Sequence, residues 1–137
     1  MRRRVLGEEH PDTLRSMNNL GRLYLDSGRF VEAESTLRTA LTAYRKLSPD
    51  SWERYDCESL LGGSLIGQKK YSEAEPLVTA GYEALVERRA KMPAGSSTTL
   101  AEAGRRIVRL YQGWGRAEEA ARWAKTIETG AKNPVRH

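Results

Sequence analysis

Three short runs of this chain repeat one another. Gly28-Arg29-Phe30-Val31-Glu32-Ala33-Glu34, Lys69-Lys70-Tyr71-Ser72-Glu73-Ala74-Glu75 and Gly115-Arg116-Ala117-Glu118-Glu119-Ala120-Ala121 align without gaps. Each follows a second matched run: Met17-x-x-Leu20-Gly21-x-x-Tyr24, Glu58-x-x-Leu61-Gly62-x-x-Leu65 and Gly104-x-x-Ile107-Val108-x-x-Tyr111. The alanine lies nine positions after the last residue of that run in every copy: 24 to 33, 65 to 74, 111 to 120. From Ala33 to Ala74 is 41 residues and from Ala74 to Ala120 is 46, so the loops between copies differ in length. One such unit cannot bury its apolar face alone, so the copies must stack on one another.

Steps of three and four put the matched residues on one stripe of a helix. Two helices per copy are therefore expected, at about 12–27 and 30–47, 52–68 and 72–91, and 98–114 and 116–128. Gly28 stops the first, Ser51 can cap the third, and Pro76 is tolerated near the start of the fourth. Small residues at Gly21, Gly62, Ala33, Ala74 and Ala120 allow close helix contact, and Tyr24 and Tyr111 fill the space beside them. The expected core stripe of the first helix is Leu14, Met17, Leu20, Gly21 and Tyr24. The second helix of copy one buries Ala33, Leu37, Ala40, Leu41 and Tyr44, and that of copy two Ala74, Leu77, Val78, Gly81 and Leu85.

The paired motifs resemble the tetratricopeptide pattern W-x2-L-G-x2-Y…A-x3-F. Leu6-Gly7-Glu8-Glu9-His10-Pro11-Asp12-Thr13 through Leu20-Gly21, with Tyr71-Ser72-Glu73-Ala74-Glu75-Pro76-Leu77, resembles the kinesin-light-chain-type branch of that family. With Val108 to Arg116, the chain is similar to the C-terminal repeats that follow a serine/threonine kinase domain in some bacteria; no kinase residues are present. Glu58 and Val108 depart from the pattern. The resemblance implies an all-α, right-handed α–α superhelix of about three helix pairs. It divides the chain into a remnant of a preceding helix (1–11), repeats at 12–47, 52–91 and 97–129, and a tail at 130–137.

Composition narrows the chemistry. The 137 residues are 30% charged, with a net charge of +5 and a mean hydropathy of -0.66, and hold no apolar run long enough for a membrane span. Met1-Arg2-Arg3-Arg4 is followed by no apolar segment, so a secretory signal is not expected and a cytoplasmic location is. One cysteine, Cys57, excludes an internal disulfide, and it reads as a buried structural thiol. His10 and His137 leave little for metal or acid–base work, and Glu8-Glu9 and Glu118-Glu119 are adjacent, so they do not share a helix face. No catalytic residue, metal site or cofactor is expected. Trp114 is expected to wedge between the two helices of the last pair.

The first helices of the pairs should line a concave face. Beside the core stripe they carry Arg15, Asn18, Arg22 and Leu25; then Asp56, Ser59, Gly63 and Ile66; then Glu102, Arg105, Arg109 and Gln112. Arg15, Arg22, Arg105 and Arg109 flank a middle of small residues, a trough suited to an extended peptide. The resemblance implies that Asn18 or Asn19 bonds the peptide backbone. The expected function is therefore a non-enzymatic scaffold for a protein segment, such as a recruiting part of a bacterial signalling protein. An acidic segment suits the arginines, and Asp56 and Glu102 oppose it locally. Two alternatives stay open. Residues 101–137 carry 8 basic and 4 acidic residues, which admits nucleic acid, although the first helices offer no stacking aromatics. Self-association through an exposed terminal helix is the other.

Overall fold

The computed structural model describes residues 11–129. The expectations for the arginine run, His10 and the remnant of a preceding helix, and for the tail with His137, fall outside these residues, except that Pro11 opens the first helix. The elements in order are α1 (Pro11–Asp26), α2 (Phe30–Leu47), α3 (Trp52–Gly67), α4 (Tyr71–Glu87), a 3-10 turn (Arg89–Lys91), α5 (Ser97–Gly113) and α6 (Ala117–Thr129). They form the expected right-handed α–α superhelix of three helix pairs, with no strand among the described residues. The loop between the second and third pairs is the longer one and holds the 3-10 turn, which accounts for the unequal repeat period.

The turn inside each pair is the same structure three times. Gly28, Lys69 and Gly115 occupy equivalent positions and have φ of 65 to 79 degrees. The next amide bonds back to the equivalent carbonyl in each: Arg29 to Tyr24, Lys70 to Leu65 and Arg116 to Tyr111, all at 2.8 Å. The left-handed residue itself donates to Leu25, Ile66 or Gln112. This paired closure satisfies carbonyls that a helix end otherwise leaves open, and it demands a left-handed residue. The following aromatic then packs across to the next pair. A Cβ on Gly67 would overlap the Phe30 ring, and one on Gly113 would lie 2.9 Å from the Tyr71 hydroxyl.

The core runs through the stack in two clusters. Leu14, Leu37, Leu41, Tyr44, Leu60 and Leu61 join the first pair to α3, and Val78, Tyr82, Leu85, Ile107, Leu110 and Trp123 join the later helices. α3 lies against α1, α2, α4 and α5, so residues Asp56 to Leu65 are all buried. Cys57 is fully buried, its thiol donates to the Leu37 carbonyl, and burial pushes its pKa well up. Glu58 departs from the repeat pattern but is held by Arg54 at 3.0 Å and Arg45 at 3.5 Å.

Three expectations need correction. Leu20 is 42% exposed rather than core, because no helix pair packs on that side of α1 among the described residues. The side of α1 that meets α3 buries Asn18 instead. Leu77 is half-buried. Trp114, expected between the two helices of the last pair, reaches beyond them: it stacks on Tyr71 of α4 and Tyr111 of α5, with the Arg116 guanidinium over its ring, and so ties α5 to α4 as well.

Lys69 is the one non-glycine residue with positive φ among those described. Lys69→Gly is expected to stabilise the protein by about 0.5–1 kcal/mol, and Gly28→Ala to destabilise it by a similar amount. Urea unfolding of the two variants beside wild type measures both.

Candidate functional site

The first helices of the pairs, α1, α3 and α5, meet on one side of the stack, and their polar residues form a continuous network. Asn18 of α1 donates its amide to Asp56 Oδ2 of α3 at 3.1 Å. Arg22 spans two helices, reaching Asp56 at 2.9 Å and Glu102 of α5 at 3.2 Å. Arg106 donates to Ser59 Oγ at 2.9 Å and lies 3.7 Å from Glu102. Asp56 and Arg106 are buried, Asp56 because α3 is enclosed, whereas Arg22 and Glu102 are partly exposed. Burial holds the Asp56 carboxyl above its ordinary range, against the pull of Arg22, Arg106 and the Asn18 amide. Burial likewise lowers the Arg106 pKa, against Asp56 and Glu102. Asn18 Oδ1 and Asp56 Oδ1 are buried with no partner.

Beyond this network the same side opens into a trough of about 390 Å³. Its apolar walls are Leu25 at the end of α1, Phe30 at the start of α2 and Ile66 of α3, with the exposed Asp26 next to Leu25. Gly63 and Gly67 form the part contributed by the α3 backbone, and α5 contributes Glu102, Arg105, Arg106 and Arg109. Gly63 is small for a reason: a Cβ there would lie 3.1 Å from Leu25 and 3.2 Å from the Arg106 side chain. Arg105 and Arg109 are exposed, one helical turn apart, and make no hydrogen bond or ion pair among the described residues.

The residues picked out from the sequence thus separate into three groups. Arg105, Arg109 and Gly63 line the trough. Asn18, Arg22, Asp56 and Ser59 belong to the network that ties the helices together. Arg15, Asn19 and Gln112 are exposed, and Arg15 pairs with Asp12 of its own helix at 3.2 Å. Sequence reasoning missed Arg106, Phe30, Asp26 and Gly67. Arg106 had a usable signal: it stands where the preceding repeat has Leu60, which is fully buried, so an arginine there had to find buried partners.

The model of the tetratricopeptide-repeat family matches residues 1–46. No curated protein matches the chain. The match spans the first helix pair, and the same turn, motif spacing and stacking recur in the other two pairs. Together they support a tetratricopeptide-repeat protein, and such repeats generally mediate protein–protein interaction. Among the described residues, no helix is long and apolar enough to cross a membrane, and no group of three or more His, Cys, Asp or Glu residues could hold a metal ion.

Two measurements test the network. Arg22→Met leaves the buried Asp56 without its closest cation and is expected to cost about 3 kcal/mol in urea unfolding. A raised Asp56 pKa means that the folded state holds this proton more tightly than the unfolded chain does. The Asp56 contribution is therefore most favourable below the ordinary aspartate range and is lost as pH rises through the raised value. Wild type should lose stability relative to Asp56→Asn as pH rises above the ordinary aspartate value of about 4, and a difference that stays constant on that rise would contradict it.

Proposed function

We propose that the chain is a non-enzymatic scaffold whose concave face holds an extended segment of a partner protein. The observation that carries this reading is the pair of uncommitted guanidiniums, Arg105 and Arg109, at the edge of an apolar-walled trough. Arg22 and Arg106 neutralise Asp56 and Glu102, so the acids that opposed an anionic segment on paper are already engaged. The free charge beside α5 is positive, which favours a segment with an acidic side chain at that point. Leu25, Phe30 and Ile66 offer room for an apolar side chain next to it. Asn18 is occupied by Asp56, which leaves Asn19, on the exposed side of α1, as the asparagine free to meet a peptide backbone. The kinesin-light-chain-type resemblance supports placing such a scaffold as a recruiting segment of a bacterial signalling protein in the cytoplasm.

A library of extended peptides, screened by fluorescence anisotropy against the whole chain, tests the reading. Acidic hits are expected, and Arg105→Ala or Arg109→Ala should weaken them about 10- to 100-fold, the loss of one charged hydrogen bond. Gln112→Ala should have little effect, since this residue is exposed outside the trough. Hits indifferent to both arginine variants would remove the concave face as the site. Binding of single-stranded RNA without sequence preference and with a steep salt slope would favour a nucleic-acid role instead.

A further inference from the structure

The Arg22–Glu102 ion pair shows how α1 and α5 face one another across the concave side. The two side chains meet at 3.2 Å and close the space over α3 at that level. Successive packed helices reverse direction, so α1 and α5 run the same way. One helical turn beyond the bridge, α1 reaches Asp26 and α5 reaches Arg105 and Arg106, with Arg109 following. Arg106 is turned inward to Ser59 and Glu102. A second bridge here, of opposite polarity to the first, is not made. Asp26, Arg105 and Arg109 all line the trough, all are exposed, and none forms an ion pair among the described residues.

The placement of Asp26 is unfavourable for the free protein. It is the last residue of α1, where the open carbonyls disfavour an anion, and that turn holds no basic residue. The nearest cation in sequence, Arg29, is taken by Glu32 at 3.2 Å and lies over the Tyr24 ring. A cation brought by a ligand meets both the carboxylate and the helix end. We propose that the trough takes a protein segment of mixed charge: an apolar side chain between Leu25, Phe30 and Ile66, an acidic one toward Arg105 and Arg109, and a basic one toward Asp26. This rests on the concave face being the binding site and adds Asp26 as the residue that separates a mixed-charge segment from a purely acidic one. Alternate side chains of an extended chain face the same side, so the three residues follow acid-x-apolar-x-base or its reverse. The same carboxylate repels a ligand made of phosphates alone.

Fluorescein-labelled peptides with Glu, Leu and Lys at alternate positions among serines, made in both orders, test the inference by anisotropy against the whole chain at low salt. In the order that binds tighter, replacing the peptide lysine by glutamine should weaken binding about three- to fivefold, the effect of one partly exposed ion pair. Asp26→Asn should remove that difference, and the glutamine peptide should bind this variant at least as tightly as it binds wild type. Asp26→Lys should reverse the preference, so that glutamate in place of the peptide lysine binds better. Asp26→Asn is also expected to raise the urea midpoint, because an anion leaves the helix end. A lowered midpoint would give Asp26 a structural role and overturn the inference. Binding that needs Arg105 but ignores the peptide lysine, or a lysine preference that survives in Asp26→Asn, overturns it too and leaves the concave site standing. Neither order binding also overturns it. Binding indifferent to Arg105→Ala and Arg109→Ala removes the concave site itself.

Discussion

The enclosure of α3 is the constraint on which the rest of the structure depends. Ten consecutive residues, Asp56 to Leu65, are buried because helices of all three pairs surround this one element. A helix buried on every side cannot leave polar groups to water, so each must find a partner in the protein. Glu58 is held by Arg54 and Arg45, Ser64 donates to the Leu61 carbonyl, and Ser59 accepts from Arg106. Asp56 draws Asn18 and Arg22 in from α1, and Arg22 goes on to Glu102. These contacts fix α1, α3 and α5 relative to one another and so shape the concave face.

Chemical availability on that face follows from the same constraint. The first helices bring Arg22, Arg105, Arg106 and Arg109 to that face together with the acids Asp56 and Glu102. The buried Asp56 and the partly exposed Glu102 engage Arg22 and Arg106. Arg105 and Arg109 line the same trough but are exposed and make no ion pair among the described residues. Packing thus decides which charges of the trough stay unpaired: Arg105 and Arg109 of α5 and Asp26 of α1, beside Leu25, Phe30 and Ile66.

The repeat works at two scales. Within a pair, small residues admit the partner helix: a Cβ on Gly21 would overlap Leu37, and one on Gly62 would overlap Val78. Between pairs, the aromatic at the start of one second helix seats on the glycine at the end of the next first helix, as Phe30 does on Gly67 and Tyr71 on Gly113. The third pair has Ala117 at that position, and α6 presents Lys125 and Glu128 outward. One end of the stack is thus closed by polar residues, while α1 at the other end keeps apolar ones.

The sequence by itself determined the helix pairs, the turns and most of the core. These features rest on local and periodic signals: alanine and glycine at helical spacing, a left-handed residue at each turn, and apolar residues in steps of three and four. It could also mark α1, α3 and α5 as the helices that share one side of the stack, because equivalent positions in a repeat face the same way. Which arginine is bound and which is free was decided only by the tertiary structure. Arg22 and Arg109 are equivalent in the repeat, yet one lies within reach of Asp56 and Glu102 and the other does not. Leu20, Leu61 and Ile107 are equivalent too, and their burial differs because it depends on whether a neighbouring pair is present. Periodicity is a property of one helix. Charge neutralisation and burial are properties of what packs against it, and those partners lie 34 to 80 residues away along the chain.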